Sequence, residues 1–204
     1  MKTFILTLGI LIISICSLTT ALKADTFTMI MYDQNNNPCY VTVTYIYEPP
    51  DGSGGPLKLF FQSCDISLPC GIAIMNNPQF WVDIQNGMTA DVIIFHQSVF
   101  PPCGSGTTLL CQIGQINCVS ITNNPVNGTM NVAPCSSISE CYRYYSVCLN
   151  TLTFPYTLSM TYLYGTVILN QCPPWLDTSV PIPPVGKTWL DPWISGCMAP
   201  GFCY

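Results

Sequence analysis

The chain has 204 residues, of which 13 are cysteine, one is histidine and only 7% are charged; ten acids against five Lys and Arg give a net charge of −5. Lys58, Arg143 and Lys187 are the only cations after Ala24. Three scattered cations form neither a stripe for phosphates nor a patch for an acidic bilayer, which excludes nucleic acid and anionic membranes as partners. A single histidine also excludes zinc hydrolases built on several His ligands.

In chain order, Lys2, the apolar run 4–18 and the small residues Thr19, Thr20, Ala21 and Ala24 read as a signal peptide over 1–21, with 24 as the alternative end. The run is shorter than the ~20 residues needed to cross a bilayer, and no other segment is apolar enough, so no transmembrane segment is expected. Residues 22–171 are expected to form one β domain and 172–204 a strap tied onto it. Strands are predicted at 27–32 and 40–48, where β-branched and aromatic residues alternate. The Pro- and Gly-rich loop 49–56 then leads to a strand at 57–62.

Asn86-Gly87 predicts a tight hairpin between strands 80–85 and 88–99, and Asn127-Gly128 a second one between 119–122 and 129–132. A helix is predicted over 137–148, because Ser137 and Glu140 have capping-box spacing and Ile138, Cys141, Tyr145 and Cys148 follow at helical intervals, with a strand as the alternative, since the same residues also alternate and Tyr142, Tyr144 and Tyr145 suit a sheet. Strands at 157–164 and 166–170, with Gly165 as a bend or bulge between them, close the regular part. Seven prolines after Cys172 leave little scope for ladder hydrogen bonds, yet three tryptophans there argue against a disordered tail. About ten short strands and at most one short helix predict an all-β fold. Its form is expected to be a disulfide-rich antiparallel sandwich of immunoglobulin-like or jelly-roll style, with a closed barrel as the runner-up.

After the leader, twelve cysteines remain: Cys39, Cys64, Cys70, Cys103, Cys111, Cys118, Cys135, Cys141, Cys148, Cys172, Cys197 and Cys203. An even number in an exported chain without a Cys-x-x-Cys pair predicts full pairing rather than metal binding or disulfide exchange. Cys64 and Cys70, Cys135 and Cys141, and Cys197 and Cys203 recur at one spacing, which makes local bridges possible. Asn127-Gly128-Thr129 is a glycosylation sequon.

His96 lies in the apolar alternation Val92, Ile94, His96, and no Gly-x-Ser-x-Gly turn accompanies it, so a strand histidine is the expectation rather than a catalytic base. A carboxylate pair drawn from Asp33, Glu48, Asp51, Asp65, Asp83, Asp91, Glu140, Asp177 and Asp191 is the one enzymatic route left, as a distant alternative. Neither a cofactor nor a metal is expected. A secreted structural or adhesive component of a coat, matrix or cell surface, partnered by extracellular protein or glycan or by its own copies, fits the low charge and high cysteine content. A carbohydrate-binding module that stacks sugars on Trp81, Trp175, Trp189 and Trp193 is the alternative.

Overall fold

The computed structural model describes residues 23–33, 35–68, 70–71, 79–116, 118–135, 140–167, 172–173 and 181–199. The fold is mostly β. Its strands are β1 (Lys23–Tyr32), β2 (Pro38–Glu48), β3 (Leu57–Ser67), β4 (Leu109–Ile116), β5 (Val119–Asn124), β6 (Thr129–Pro134), β7 (Glu140–Asn150), β8 (Thr157–Val167) and β9 (Trp193–Ile194). One helix, α1 (Gln79–His96), and a single 3-10 turn, Gln97–Val99, complete the described elements.

All nine described strands join one sheet, curled into a half-barrel, where the sequence pattern predicted two facing layers. β3 is its spine. On one side β3 pairs antiparallel with β2, which in turn carries β1. The other side is shared, as Leu57 to Phe60 pair parallel with β4 while Cys64 to Ser67 pair antiparallel with β6. From this fork one arm runs β4-β7-β8 and the other β6-β5-β9.

Alternation in β3 explains both its burial and its irregularity. Leu57, Leu59 and Phe61 face the core, then the pattern jumps to Cys64 and Ile66. A bulge absorbs the extra residue, because Tyr45 pairs with Phe61 while Thr44 pairs with Ser63. An unpaired residue in a strand restores the inward face after a break in period two. β2 is regular, with Cys39, Val41, Val43, Tyr45 and Tyr47 all buried. At the head of the loop after β2, the Asp51 carboxylate accepts from the Ser53 and Gly55 amides and the Ser53 hydroxyl, which holds its pKa below the usual range.

Two predicted elements are corrected. The hairpin expected around Asn86-Gly87 is helix α1. Phe80, Ile84, Met88 and Val92 recur at intervals of four and are fully or almost fully buried, whereas Ile94 and Phe95 are 72% and 70% exposed. That is the face of a helix, and it outweighs the short period-two match at its end. Gly87 serves close packing here, since a Cβ at that position would lie 2.5 Å from the Phe27 ring on β1. The helix expected over 137–148 is strand β7 from Glu140 onward, and Ser137 lies outside the described residues. Its tyrosines pair across to β8, Tyr144 stacking on Tyr164 at 4.5 Å and Tyr145 meeting Tyr162 edge-on at 5.8 Å. Such cross-strand aromatic pairs favour the sheet over a helix rich in poor helix formers.

The bend or bulge expected at Gly165 is not at that residue, because β8 runs through Gly165 in register with Arg143. The irregularity sits two residues earlier, at Leu163, since Tyr144 pairs with Tyr164 but Tyr145 with Tyr162. The second Asn-Gly does lie in a hairpin. Residues 125–128 join β5 to β6 with Gly128 at φ 64°, a left-handed conformation that suits glycine.

The cysteines depart from full pairing. Cys39 bonds Cys70, Cys103 bonds Cys148, Cys118 bonds Cys172 and Cys135 bonds Cys197, and Cys141 is also disulfide-bonded. None of the three closely spaced pairs is a bridge. Cys64 and Cys111 are buried free thiols. Cys111 faces Leu57 at one end of β3 and Cys64 lies toward the other, so at ~3.3 Å per residue they stand roughly 20 Å apart, far beyond disulfide reach. Burial pushes the Cys111 thiol up to about 12 and raises that of Cys64 as well, which keeps both protonated.

Candidate functional site: the edges of the half-barrel

The sheet ends in three places, and each end is treated differently by the chain around it. The first is β1, which pairs only with β2 among the described residues. Helix α1 packs across this arm and is fixed there by polar groups as well as by the Gly87 contact. The Tyr45 hydroxyl donates to Asp91 Oδ2 at 2.8 Å in the interior. His96 Nε2 approaches Asp25 Oδ2 at 3.6 Å, and its ring stacks on Tyr47 at 3.9 Å between centroids. Burial, the hydrogen bond to Asp91 and the nearby charges of Asp91 and Asp25 push the Tyr45 phenol far above its usual value, and burial with Asp25 raises that of Tyr47. Those shifts suppress ionisation of both phenols, the reverse of what an activated general base needs. The cluster fastens α1 to β1 and β2.

The second end is β5. Here β9 adds a two-residue ladder, Trp193 to Asn123 and Ile194 to Thr122, and Val119 bridges Met198. Proline content therefore leaves room for a short ladder after Cys172. Asn123 Nδ2 donates to the carbonyls of Trp189 and Asp191, and the Ile121 amide donates to Ser195 Oγ. Thr188 donates its amide and hydroxyl to Asp191, lowering that carboxyl's pKa and closing the preceding turn. Two disulfides, Cys118–Cys172 and Cys135–Cys197, clamp this segment to β5 and β6.

The third end is β8, which α1 approaches across a groove and which, among the described residues, has neither a polar clasp nor a disulfide-tied segment over it. It pairs only with β7 among the described residues, over eleven residues that include neither a charge nor a proline. Tyr162, Leu163 and Tyr164 are 58%, 47% and 50% exposed. In the turn before it, Leu152 and Phe154 are almost fully exposed, at 96% and 94%. Between β8 and α1 runs a groove of about 560 Å³ walled by Ile93, Ile94, Phe154, Tyr156, Leu158 and Met160, with no charged residue in its lining. Long uncharged edges are usually blunted by Lys, Pro or a covering segment, because their unpaired amides and carbonyls invite another strand.

The residues singled out in the sequence fall elsewhere. Trp81 and Trp193 are each 5% exposed and belong to the core; Trp189 packs edge-on against Trp193 at 5.2 Å. Trp175 lies outside the described residues. Two of the three described Trp rings are therefore buried and offer no exposed face. Asn127 is exposed at the β5–β6 tip beside Val126, which is 89% exposed. The carboxylates are spread over separate tasks: Asp33 and Asp51 organise turns, Glu48 meets Lys58 at 2.9 Å, and Asp65 accepts from Asn131. Asp83 accepts from Gln79 one helical turn before it. Asp177 and the Glu140 side chain lie outside the description. Among the described residues no three His, Cys, Asp or Glu side chains group as metal ligands, and no helix is long and apolar enough to cross a membrane.

Sequence reasoning missed Asp25, the one acid it left out, and the β8 edge. The signal for the second was available, because residues 144–176 contain no Asp, Glu, Lys, Arg or His. No protein-family model, curated protein or solved structure matches this chain.

Proposed function

We propose that this protein is a secreted, non-enzymatic component of an extracellular coat, matrix or cell surface, which acts by strand and surface contacts with its neighbours. One observation carries the reading: of the three ends of the sheet, β8 alone is long, uncharged and, among the described residues, without a partner on its outer side, and it adjoins an apolar groove. β-strand addition to such an edge gives affinity through main-chain hydrogen bonds without any titratable side chain. The disulfides are compatible with an oxidising, extracellular location, and the amino-terminal run fits export. The exposed sequon at Asn127 suits glycan attachment on that route; treatment of native protein with a peptide N-glycosidase is expected to shift its mobility, and Asn127→Gln to abolish the shift.

The test is the fate of the native protein. Tagged at its C-terminus and expressed in its own cells, it is expected in an insoluble or surface-bound fraction that detergent and salt extract poorly. Recovery of the whole population as a diffusible monomer in the medium contradicts the proposal.

A further inference from the structure

We infer that β8 pairs antiparallel with β8 of a second copy, forming a two-fold dimer around Met160; this deepens the assembly reading above and rests on it. The choice of a second copy follows first from charge. The full chain carries a net −5, and loss of Lys2 with the leader makes each secreted copy more negative still, so most surfaces of two copies repel, whereas residues 144–176 contain no Asp, Glu, Lys, Arg or His. β8 lies within that stretch, so at its edge like can meet like without charge repulsion.

Register supplies the second argument. Thr157 to Tyr162 pair regularly with β7 before the irregularity at Leu163. In an antiparallel ladder, residues directly opposite share a face. A two-fold axis at Met160 sets Leu158 against the second copy's Tyr162 on one face and Ser159 against the second copy's Thr161 on the other. Both are favourable cross-strand combinations, an apolar–aromatic pair and a hydroxyl pair. The same register carries the turn containing Leu152, Phe154 and Tyr156 toward the second copy's Leu163 and Tyr164.

Area supplies the third. Leu152, Phe154, Tyr156, Tyr162, Leu163 and Tyr164 expose between 38% and 96% of their surface. At about 150–250 Å² per aromatic side chain, the six together present on the order of 700 Å². A standard interface buries ~800 Å² per partner, so the patch is large enough to hold a dimer once backbone contacts are added.

The experiment is sedimentation of the oxidised wild-type protein over a concentration series beside Ser159→Lys/Thr161→Lys. Both substituted positions are exposed, and in the proposed register the lysines of the two copies oppose one another. Wild type is expected to be dimeric, and the double variant to show a dissociation constant raised about tenfold or more. Thr161→Lys alone, for use if the double variant folds poorly, is expected to show a smaller shift of the same sign. Val126→Lys/Val185→Lys makes the same charge change at positions 89% and 90% exposed and is expected to remain dimeric. A monomeric wild type, a wild type that binds only a different protein, or a lysine variant as dimeric as wild type overturns the inference. The fate of the native protein decides the broader function separately: an insoluble protein without β8 pairing retains the coat reading, and a β8 dimer that diffuses freely retains only the pairing.

Discussion

Strands β1 and β8 are the two long outer strands of one half-barrel, yet they meet solvent on different terms. β1 points Asp25 inward, begins with Lys23, and lies under a helix fastened through Tyr45, Tyr47, Asp91 and His96. β8 holds only Thr, Leu, Ser, Met, Tyr, Gly and Val, and α1 leaves an apolar groove alongside it instead of a polar clasp. A charge facing inward and a covering element are devices that stop a strand from recruiting another. The inward charge and the polar clasp stand on one arm and, among the described residues, not on the other, which teaches that the two ends of the sheet are finished by different chemistry.

The largest effect is expected from uncovering the edge that disulfides close. Cys135→Ser/Cys197→Ser removes a bridge spanning 62 residues, and loss of a native disulfide typically costs about 2–5 kcal/mol. Denaturant titration is expected to show that loss, and limited proteolysis to cut residues 181–199 first. Equal stability and unchanged cleavage would mean that the strap is held by β9 and Asn123 alone.

The polar clasp on β1 comes next. Tyr45→Phe keeps the ring but deprives buried Asp91 of its donor, an expected loss of ~1–3 kcal/mol by equilibrium unfolding. The same tyrosine predicts an alkaline limit. Its folded-state pKa, like that of Tyr47, is raised, so above pH ~10 the unfolded chain releases protons that the folded chain keeps. Stability is therefore fully present below that pH and falls as pH rises past it, by up to about 1.4 kcal/mol per pH unit for each tyrosine. Tyr45→Phe is expected to flatten this slope; a slope unchanged from wild type would place the titration elsewhere.

Cys64 and Cys111 sharpen the comparison from the interior, since they sit on β3 and β4, away from all three ends. An alkylating reagent is expected to leave both untouched in the native protein and to label both after unfolding without reductant, as mass spectrometry would show. Labelling under native conditions would reveal opening of the spine itself. The smallest effect belongs to Ser159→Lys/Thr161→Lys, whose unfolding free energy as a monomer is expected to stay within ~0.5 kcal/mol of wild type. A larger loss would give the open edge a part in folding that its exposure argues against.

Much of the sheet was legible in the residues, and the reasons are local. β2 and the β5–β6 hairpin carry clean alternation and, in Gly128, a turn residue in its expected conformation. α1 was misread because Asn-Gly is a strong hairpin signal only when both flanks alternate, and Phe80, Ile84, Met88 and Val92 recur every four. β7 was misread in the opposite sense, since helical spacing of Cys141, Tyr145 and Cys148 says nothing of the tyrosines waiting on β8. The thiols of Cys64 and Cys111 escaped notice because an even cysteine count carries no information about distance along β3. The candidate site was the least legible. An uncovered edge is a property of which strands end up neighbours, and neither the fork at β3 nor the groove beside α1 has a signature in the order of residues.

Hydrogen exchange measured amide by amide at increasing protein concentration tests the open edge most directly. Protection is expected to rise with concentration over Thr157–Tyr162 and to stay constant across β1 and β5. Exchange in β8 that ignores concentration, or that rises equally on all three ends of the sheet, would contradict the account.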